Sequence, residues 1–138
     1  MPKPAKGFML VGMPKILIVD DERIVLKAYT RELERLGYEV FRAMTGPEAL
    51  EIAKRERPDI VFTDLIMPEM NGVEICKAIK GACPDAEIVL ISGYPEEVVR
   101  FQMKFVDAGG REEWLRKPLG IDELPDAAKR ILKEKGKV

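Results

Sequence analysis

Short apolar runs alternate along this chain with longer segments in which apolar residues recur at helical spacing. Residues 15–20 form the first run, which is almost entirely β-branched or aliphatic and ends in acid, as is typical of a strand covered on both faces. A helical repeat of apolar residues then continues to Gly37, a residue type that commonly ends helices. The chain therefore begins with a strand followed by a helix.

The alternation recurs four more times, and it predicts a doubly wound α/β fold with five strands and five helices. Thr45 with Glu48, and again Asn71 with Glu74, are capping-box patterns that mark the starts of the second and third helices. Because strands that alternate with helices imply right-handed crossovers, we predict a parallel, flavodoxin-like (βα)5 sheet in the order 2-1-3-4-5. The later strands are predicted at residues 38–43, 60–64, 87–92 and 114–116, the fourth helix at 95–106 and the fifth at 121–135.

Length indicates how many domains the chain forms, and net charge indicates which partners it can bind. With 138 residues, 46% of them hydrophobic, the chain is long enough for one domain, which we place at residues 13–138 after a flexible leader at 1–12. The net charge of -1 predicts no direct binding to nucleic acid or to an anionic membrane surface. The apolar part of the leader is shorter than the core of a signal peptide, so we expect a cytoplasmic protein.

The residue inventory excludes several kinds of site. The chain has no histidine and only one serine, so a Ser-His-Asp triad is impossible. Its two cysteines, Cys76 and Cys83, have no second pair of ligands to complete a zinc site. We interpret them as reduced thiols, with Cys76 facing the core.

Polar residues stand at the ends of four predicted strands. They are Asp20 and Asp21 after the first strand, Asp64 at the third, Ser92 at the fourth and Lys117 after the fifth. Because the carboxyl ends of parallel strands share one edge of the sheet, we expect these side chains to converge there. Three adjacent carboxylates repel one another unless a cation compensates them, and this donor set favours Mg²⁺ (or Mn²⁺).

Taken singly, each of these residues has a simpler interpretation. Asp20 and Asp21 are suitable caps for the first helix, and Asp64 is a common turn residue. Lys117 is compatible with an ordinary solvated lysine, and Ser92 with an ordinary loop residue. Their combination favours phosphoryl transfer to a carboxylate, which needs a nucleophile, a metal and donors for the phosphoryl oxygens.

With these motifs, the chain resembles the receiver domain of two-component response regulators over residues 15–135. Each motif is weak alone, but their conjunction in this order is specific. The matching segments are Val19-Asp20-Asp21-Glu22, Thr63-Asp64-Leu65-Ile66-Met67-Pro68, Asn71-Gly72, Ile91-Ser92-Gly93 and Lys117-Pro118.

The resemblance implies a role for each residue of the set. Asp64 is implied to receive a phosphoryl group from a sensor histidine kinase or a histidine phosphotransfer protein. Asp21, Asp64 and the main-chain carbonyl of Ile66 are implied to hold the metal, with Asp20 acting mainly through water. Lys117 is implied to contact a phosphoryl oxygen.

The resemblance also implies a conformational switch. Ser92 is expected to move toward the phosphorylated carboxylate, and Trp114, three residues before Lys117, is expected to be a rotating aromatic residue. The Lys117-Pro118 bond is expected to be cis, an isomer that proline makes accessible. The protein would then be a signalling module and not an enzyme, apart from its own phosphorylation and dephosphorylation.

Three other functions are alternatives to a phosphorylated receiver. A protein-interaction module of the same fold would use no phosphorylation. A phosphatase of the haloacid dehalogenase type would need a D-x-D-x-T pattern, which residues 20–24 lack. A nucleotide-binding protein of this fold would need a Gly-rich first turn, whereas this turn is acidic. With only a short basic tail after the fifth helix, we expect a stand-alone receiver or a fragment.

The predicted fourth helix carries two apolar stripes. One stripe can face the sheet, whereas the second has no evident internal partner. We expect self-association or target binding through this helix and the fifth strand, unless the long segment before Trp114 folds over the second stripe. The first stripe comprises Val98, Phe101 and Phe105, and the second comprises Val99, Met103 and Val106.

Overall fold

The structure, a computed structural model, describes residues 12–137, so nearly all of the predicted leader lies outside the described residues. The strands are β1 Lys15–Val19, β2 Glu39–Ala43, β3 Ile60–Asp64, β4 Glu87–Ser92 and β5 Trp114–Arg116. The helices are α1 Arg23–Glu34, α2 Gly46–Glu56, α3 Gly72–Ala82, α4 Pro95–Asp107 and α5 Glu123–Glu134.

All five strands belong to one parallel sheet in the order β2-β1-β3-β4-β5, which confirms the predicted fold. The register pairs Val19 of β1 with Thr63 of β3. Because each of these residues precedes an aspartate, Asp20 and Asp64 lie at the same edge of the sheet. The strand order thus assembles residues that are far apart along the chain.

Two hydrophobic layers enclose the sheet. Strand residues alternate between them, so that Val61 packs on the side of α2, α3 and α4 while the adjacent Phe62 packs on the side of α1 and α5. Both side chains are fully buried. This two-sided burial is the physical reason for the unbroken apolar runs in the central strands.

Local capping defines the start of the third helix as the sequence predicts. Asn71 Oδ1 accepts the Glu74 N–H at 3.0 Å, and Glu74 Oε1 accepts the Asn71 N–H at 2.9 Å. At the second helix, Thr45 Oγ1 accepts the Glu48 N–H at 3.2 Å, but the Glu48 carboxylate accepts the N–H of Met44, one residue earlier than in a standard capping box.

Two helix boundaries differ from the prediction. Helix α1 ends at Glu34, and Gly37 terminates the following turn with φ of +88°. Helix α5 begins at Glu123 and not at Ile121, because Asp122 adopts a left-handed conformation with φ of +66° that interrupts the helical path. Ile121 is consequently 95% exposed.

The two cysteines are free and buried, with Cys76 facing the core as expected. Burial raises the pKa of the Cys76 thiol to about 12, despite the opposing charge of Lys80. A protonated, enclosed thiol is a poor nucleophile, so Cys76 acts as a core residue. In the part of the chain that the structure describes, no helix is long and apolar enough to span a bilayer.

The segment between α4 and β5 contacts α4 at other residues but leaves the second apolar stripe of this helix uncovered. Gly110 lies against the ring of Phe105, where a Cβ atom would approach within 2.1 Å of a ring carbon. Gln102 donates to the carbonyl of Glu112 at 2.8 Å. Val99 and Met103 nevertheless remain 78% and 80% exposed, so the alternative in which this segment covers the stripe is wrong.

Candidate functional site

Three aspartates meet at the carboxyl edge of the sheet. Asp20 and Asp21 follow β1, and Asp64 is the last residue of β3. One carboxylate oxygen from each lies within 4.8 Å of the other two. Asp20 and Asp64 are only 2% and 9% exposed, whereas Asp21 is exposed, so solvent reaches the cluster at Asp21.

Lys117 joins the two buried aspartates. Its Nζ donates to Asp20 Oδ2 at 2.6 Å and to Asp64 Oδ2 at 3.1 Å. Burial alone would lower the pKa of this ammonium, but the Asp20 hydrogen bond and the two carboxylate charges outweigh burial and raise it. The adjoining Lys117-Pro118 peptide bond is cis, as the resemblance implied.

Of the two buried aspartates, Asp64 has the longer bond to the positive charge of Lys117. Its Oδ1 accepts the Leu65 N–H at 2.8 Å, and its Oδ2 is shared with Lys117. Burial nevertheless raises the pKa of Asp64 above its ordinary value; Lys117 opposes this rise and the nearby Asp20 charge adds to it. A further cation at this point would therefore stabilise the ionised carboxylate.

The helix-capping interpretation of Asp20 and Asp21 is not what the structure shows. The N-cap of α1 is Glu22, whose side chain makes no capping bond. Asp20 Oδ1 accepts the Glu22 N–H at 2.9 Å, while its other oxygen binds Lys117. Asp20 thus anchors the loop after β1 to the lysine that follows β5.

Ser92 lies at the same edge, fully buried at the end of β4. Its hydroxyl accepts the Tyr94 N–H at 3.1 Å, and its carbonyl accepts the Lys117 N–H at 2.9 Å. Among the hydrogen bonds of residues 12–137, none joins Ser92 to Asp64. The backbone of Ser92 is therefore bonded to a residue of the site, whereas its hydroxyl is bonded to the start of α4.

The remaining predicted residues lie around this cluster. Ile66 is in the loop after β3, two residues beyond Asp64, and is 43% exposed. Trp114 begins β5 and packs, half-buried, against the hydrophobic layer on the α4 side. The structure thus brings together the three aspartates and Lys117, whereas Trp114 lies at the opposite end of β5 from Lys117.

Two residues near the site had no assigned role in the sequence. Gly72 lies so close to the β3–α3 loop that a Cβ atom would be 2.9 Å from the Asp64 carbonyl oxygen. Any larger residue would displace the segment that bears Asp64. The hydroxyl of Tyr29 has a pKa raised to about 12, mainly by burial, with Lys117 opposing and Asp20 adding to the rise. The Asn71-Gly72 motif was a sequence signal for Gly72, whereas no motif indicated Tyr29.

The chain is similar to known proteins over nearly its whole described length. The family profile for the response regulator receiver domain matches residues 16–129. Response regulator MprA of Mycobacterium leprae is 36% identical over 110 residues, which are 80% of this chain and 47% of MprA. This chain therefore spans about half the length of the curated relatives it matches.

Solved structures show the same architecture. A CheY-like response regulator receiver domain protein from Methanospirillum hungatei JF-1 matches with a TM-score of 0.81 and 29% identity, over 91% of this chain and 98% of that one. A response regulator protein from Burkholderia pseudomallei, solved with a phosphorylated aspartic acid, calcium ion and citrate, matches with a TM-score of 0.74 and 26% identity. This match covers 88% of this chain and 72% of that one.

Proposed function

Because the chain belongs to the response regulator receiver family, we propose that it is a phosphorylation-controlled binding module whose phosphoryl acceptor is Asp64. The observation that carries this proposal is the placement of Asp64. It is buried beside a second buried aspartate, it shares one lysine with that aspartate, and it lies at an edge that Asp21 leaves open to solvent.

The proposed reaction is a transfer from a phosphohistidine. An oxygen of Asp64 attacks the phosphorus, the new P–O bond forms as the P–N bond of the donor breaks, and the imidazole leaves and takes up a proton. Lys117 Nζ, now bonded to Asp64 Oδ2, is placed to bind a phosphoryl oxygen of the product. The Leu65 N–H keeps the other carboxylate oxygen oriented.

The donor set at this edge fits a hard divalent cation. It comprises three carboxylates, whose oxygens lie within 4.8 Å of one another. The neighbouring Lys117 ammonium group balances one of their charges, which leaves two negative charges uncompensated. We propose that Asp21, Asp64 and the carbonyl of Ile66 hold Mg²⁺ or Mn²⁺, with Asp20 acting through water. When bound, the ion supplies positive charge to the carboxylates and to the phosphoryl oxygens.

Ser92 and Trp114 are the proposed switch residues. The Ser92 hydroxyl makes one bond here, to the Tyr94 N–H, and we propose that it exchanges this bond for a phosphoryl oxygen. That movement would shift the start of α4, because Tyr94 is the N-cap of that helix. Trp114 packs against the same side of the sheet as α4, so its rotation would accompany the shift.

The proposed output surface is the exposed stripe of α4, with Val99 and Met103 at its centre. Flexible apolar side chains such as Met103 adapt to a partner surface. We propose that this stripe binds a target protein or a second copy of the chain after phosphorylation. As for other members of the family, the proposed donor is a sensor histidine kinase or a histidine phosphotransfer protein, and the proposed location is the cytoplasm.

The phosphoryl acceptor is tested by intact-mass measurement after incubation with acetyl phosphate and Mg²⁺. We expect one phosphoryl group on the wild type, none on Asp64→Asn, and a normal gain on the matched control Asp126→Asn, at an exposed position of α5. No gain by the wild type, or an equal gain by Asp64→Asn, would contradict the proposal and favour an unphosphorylated interaction module.

The output surface is tested separately by light scattering with and without the same phosphodonor. We expect Met103→Glu to abolish any phosphorylation-dependent increase in mass or target binding while leaving phosphoryl incorporation intact. A Met103→Glu variant that associates as the wild type does would exclude this stripe as the contact surface.

A further inference from the structure

A second cluster of charged side chains lies at the amino edge of the sheet, around Arg111. This guanidinium binds three glutamates: Nη1 lies 2.8 Å from Glu87, Nε lies 2.7 Å from Glu113 and Nη2 lies 3.0 Å from Glu134. Arg130 binds the second oxygen of Glu113 at 2.7 Å. We call these five residues the Arg111 cluster.

The Arg111 cluster connects three elements that are separate in sequence. Glu87 is the first residue of β4, Glu113 directly precedes β5, and Glu134 and Arg130 belong to α5. The main chain of Arg111 is also anchored, because its N–H donates to the Ile88 carbonyl at 2.9 Å. The segment that enters β5 is thus attached at once to the neighbouring strand and to the last helix.

Glu113 and Trp114 lie on opposite sides of the sheet. Adjacent residues of an extended chain face opposite sides of a sheet. Glu113 is held on the α5 side by Arg111 and Arg130, and Leu115 packs in the layer on that side. Trp114, between them, is directed to the α4 side, where it packs.

The ladder of β5 is too short to provide this restraint by itself. The strand has three residues and, within the described part of the chain, lies at the edge of the sheet and pairs with β4 alone. Edge strands this short have few hydrogen bonds to resist fraying. At the other end of the strand, Lys117 binds Asp20 and Asp64, so β5 is held by ion pairs at both ends.

We propose that Arg111 is a positioning residue for Trp114: by clamping Glu113 to β4 and α5, it holds the start of β5 so that Trp114 stays in the hydrophobic layer on the α4 side of the sheet. Its consequence for signalling rests on the proposed function, since it matters for the switch only if Trp114 moves on phosphorylation. Release of the clamp would then let Trp114 leave its resting arrangement without a phosphoryl group.

Tryptophan fluorescence reports directly on the environment of Trp114, because this residue is the single tryptophan of the chain. Acrylamide quenching of tryptophan fluorescence is measured without metal or phosphodonor, well below the unfolding temperature, on the wild type, Arg111→Gln and Arg55→Gln. Arg55 is a matched control, since its ion pair among residues 12–137 is with its neighbour Glu56. Because a released strand end opens locally, we expect the quenching constant to rise roughly twofold in Arg111→Gln and to stay unchanged in Arg55→Gln.

Glu134→Gln gives a second, milder test. It removes one arm of the clamp at a half-exposed position, so the variant should fold even if Arg111→Gln does not. We expect a smaller increase in quenching in the same direction, with unchanged far-UV circular dichroism. If quenching in the folded variants equals that of the wild type while only the melting temperature falls, Arg111 is merely structural and the proposal is wrong.

These outcomes are independent of the proposed phosphorylation. Quenching is measured on the unphosphorylated protein, so a chain that gains no phosphoryl mass would still reveal the clamp. Conversely, if Arg111 does not position Trp114, the measurement of phosphoryl mass gained at Asp64 is unaffected. Emission recorded after addition of acetyl phosphate and Mg²⁺ then tests their link, and we expect a smaller change in Arg111→Gln than in the wild type.

Discussion

The two charged clusters occupy opposite edges of one sheet and contain nearly the same chemical groups. At the carboxyl edge, Asp20 and Asp64 share Lys117 beside a third aspartate, Asp21, and the side chains of Asp20, Asp64 and Lys117 are only 3%, 11% and 17% exposed. At the amino edge, three glutamates share two arginines, and the exposed fractions run from 20% to 50%. The first cluster is thus more buried and less compensated than the second.

This difference explains why the carboxyl-edge cluster is suited to binding a cation, whereas the amino-edge cluster is suited to holding structural elements together. Unbalanced negative charge in a buried place raises the free energy of the folded protein and attracts a cation. Nearly balanced charge in a half-exposed place is stable without a ligand, and each pair contributes modestly. Charge balance and burial, and not residue type, separate the candidate phosphorylation site from the clamp.

The largest expected effect comes from removing Lys117, the cation that binds Asp20 and Asp64 in the carboxyl-edge cluster. Lys117→Met leaves buried carboxylates unpaired, and we expect the free energy of unfolding to fall by about 3 kcal/mol in the presence of a chelator. Lys54→Met, at an exposed position of α2, should change it little. Urea denaturation measures both, and an equal loss in the two variants would contradict the assigned burial.

The next effect concerns the backbone that leads into the amino-edge cluster. In Gly110→Ala the added methyl group meets the Phe105 ring, and we expect a loss of about 2 kcal/mol in unfolding free energy from overpacking. Gly81→Ala is the control, because open space surrounds that helical position. Chemical denaturation of both variants decides; a Gly110→Ala protein as stable as the wild type would show that the turn packs differently.

A smaller, pH-dependent effect is expected at Glu113. Its burial would raise its pKa, but the bonds to Arg111 and Arg130 outweigh burial and lower it below the usual 4.5. A lowered pKa means that its ion pairs stabilise the fold above that usual value and lose their contribution as the pH falls through the folded pKa. Glu113→Gln should therefore be less stable than the wild type by about 1 kcal/mol at pH 7.

The stability contributed by the Glu113 ion pairs depends on pH in a defined direction. The difference between wild type and Glu113→Gln should shrink as the pH is lowered below the usual glutamate value, because the wild-type carboxylate becomes protonated. Melting temperatures recorded across this acid range measure the difference. A gap that stays constant or widens toward acid pH would mean that these ion pairs do not stabilise the protein.

The smallest effect has the opposite sign. Asp21→Asn removes one of three repelling carboxylates at the carboxyl edge, so we expect the metal-free protein to gain about 0.5 kcal/mol of stability. The same variant should gain less than the wild type from added Mg²⁺. Thermal unfolding with chelator and with excess Mg²⁺ measures both, and destabilisation in chelator would show that the cluster is not strained by repulsion.

Much of the fold was predictable because its signals are local. Apolar runs, helical stripes and the Asn71 and Glu74 pair depend on neighbours within a few residues, and these elements appear where the sequence places them. The start of α5 was predicted wrongly because the apolar Ile121 fits a helical stripe, whereas the left-handed Asp122 that interrupts it leaves no trace in the hydrophobic pattern.

The candidate site was predictable for a different reason. Each of its residues ends a strand or follows a strand end within two positions, and the parallel topology brings strand ends to one edge whatever their distance in sequence. The bond partner of Ser92 was not predictable in this way, because a buried hydroxyl can turn to more than one acceptor or donor within reach. Nor did any motif indicate Arg111, whose partners lie in three separate elements.

The sequence by itself determined the alternation of strands and helices, the residues that end each strand and the family to which they point. Only the tertiary structure decided which carboxylates are buried, which cation they share and which apolar stripe stays exposed. The physical reason is that periodicity and capping act over one or two turns of chain, whereas burial and charge compensation depend on residues that meet only after the sheet has formed.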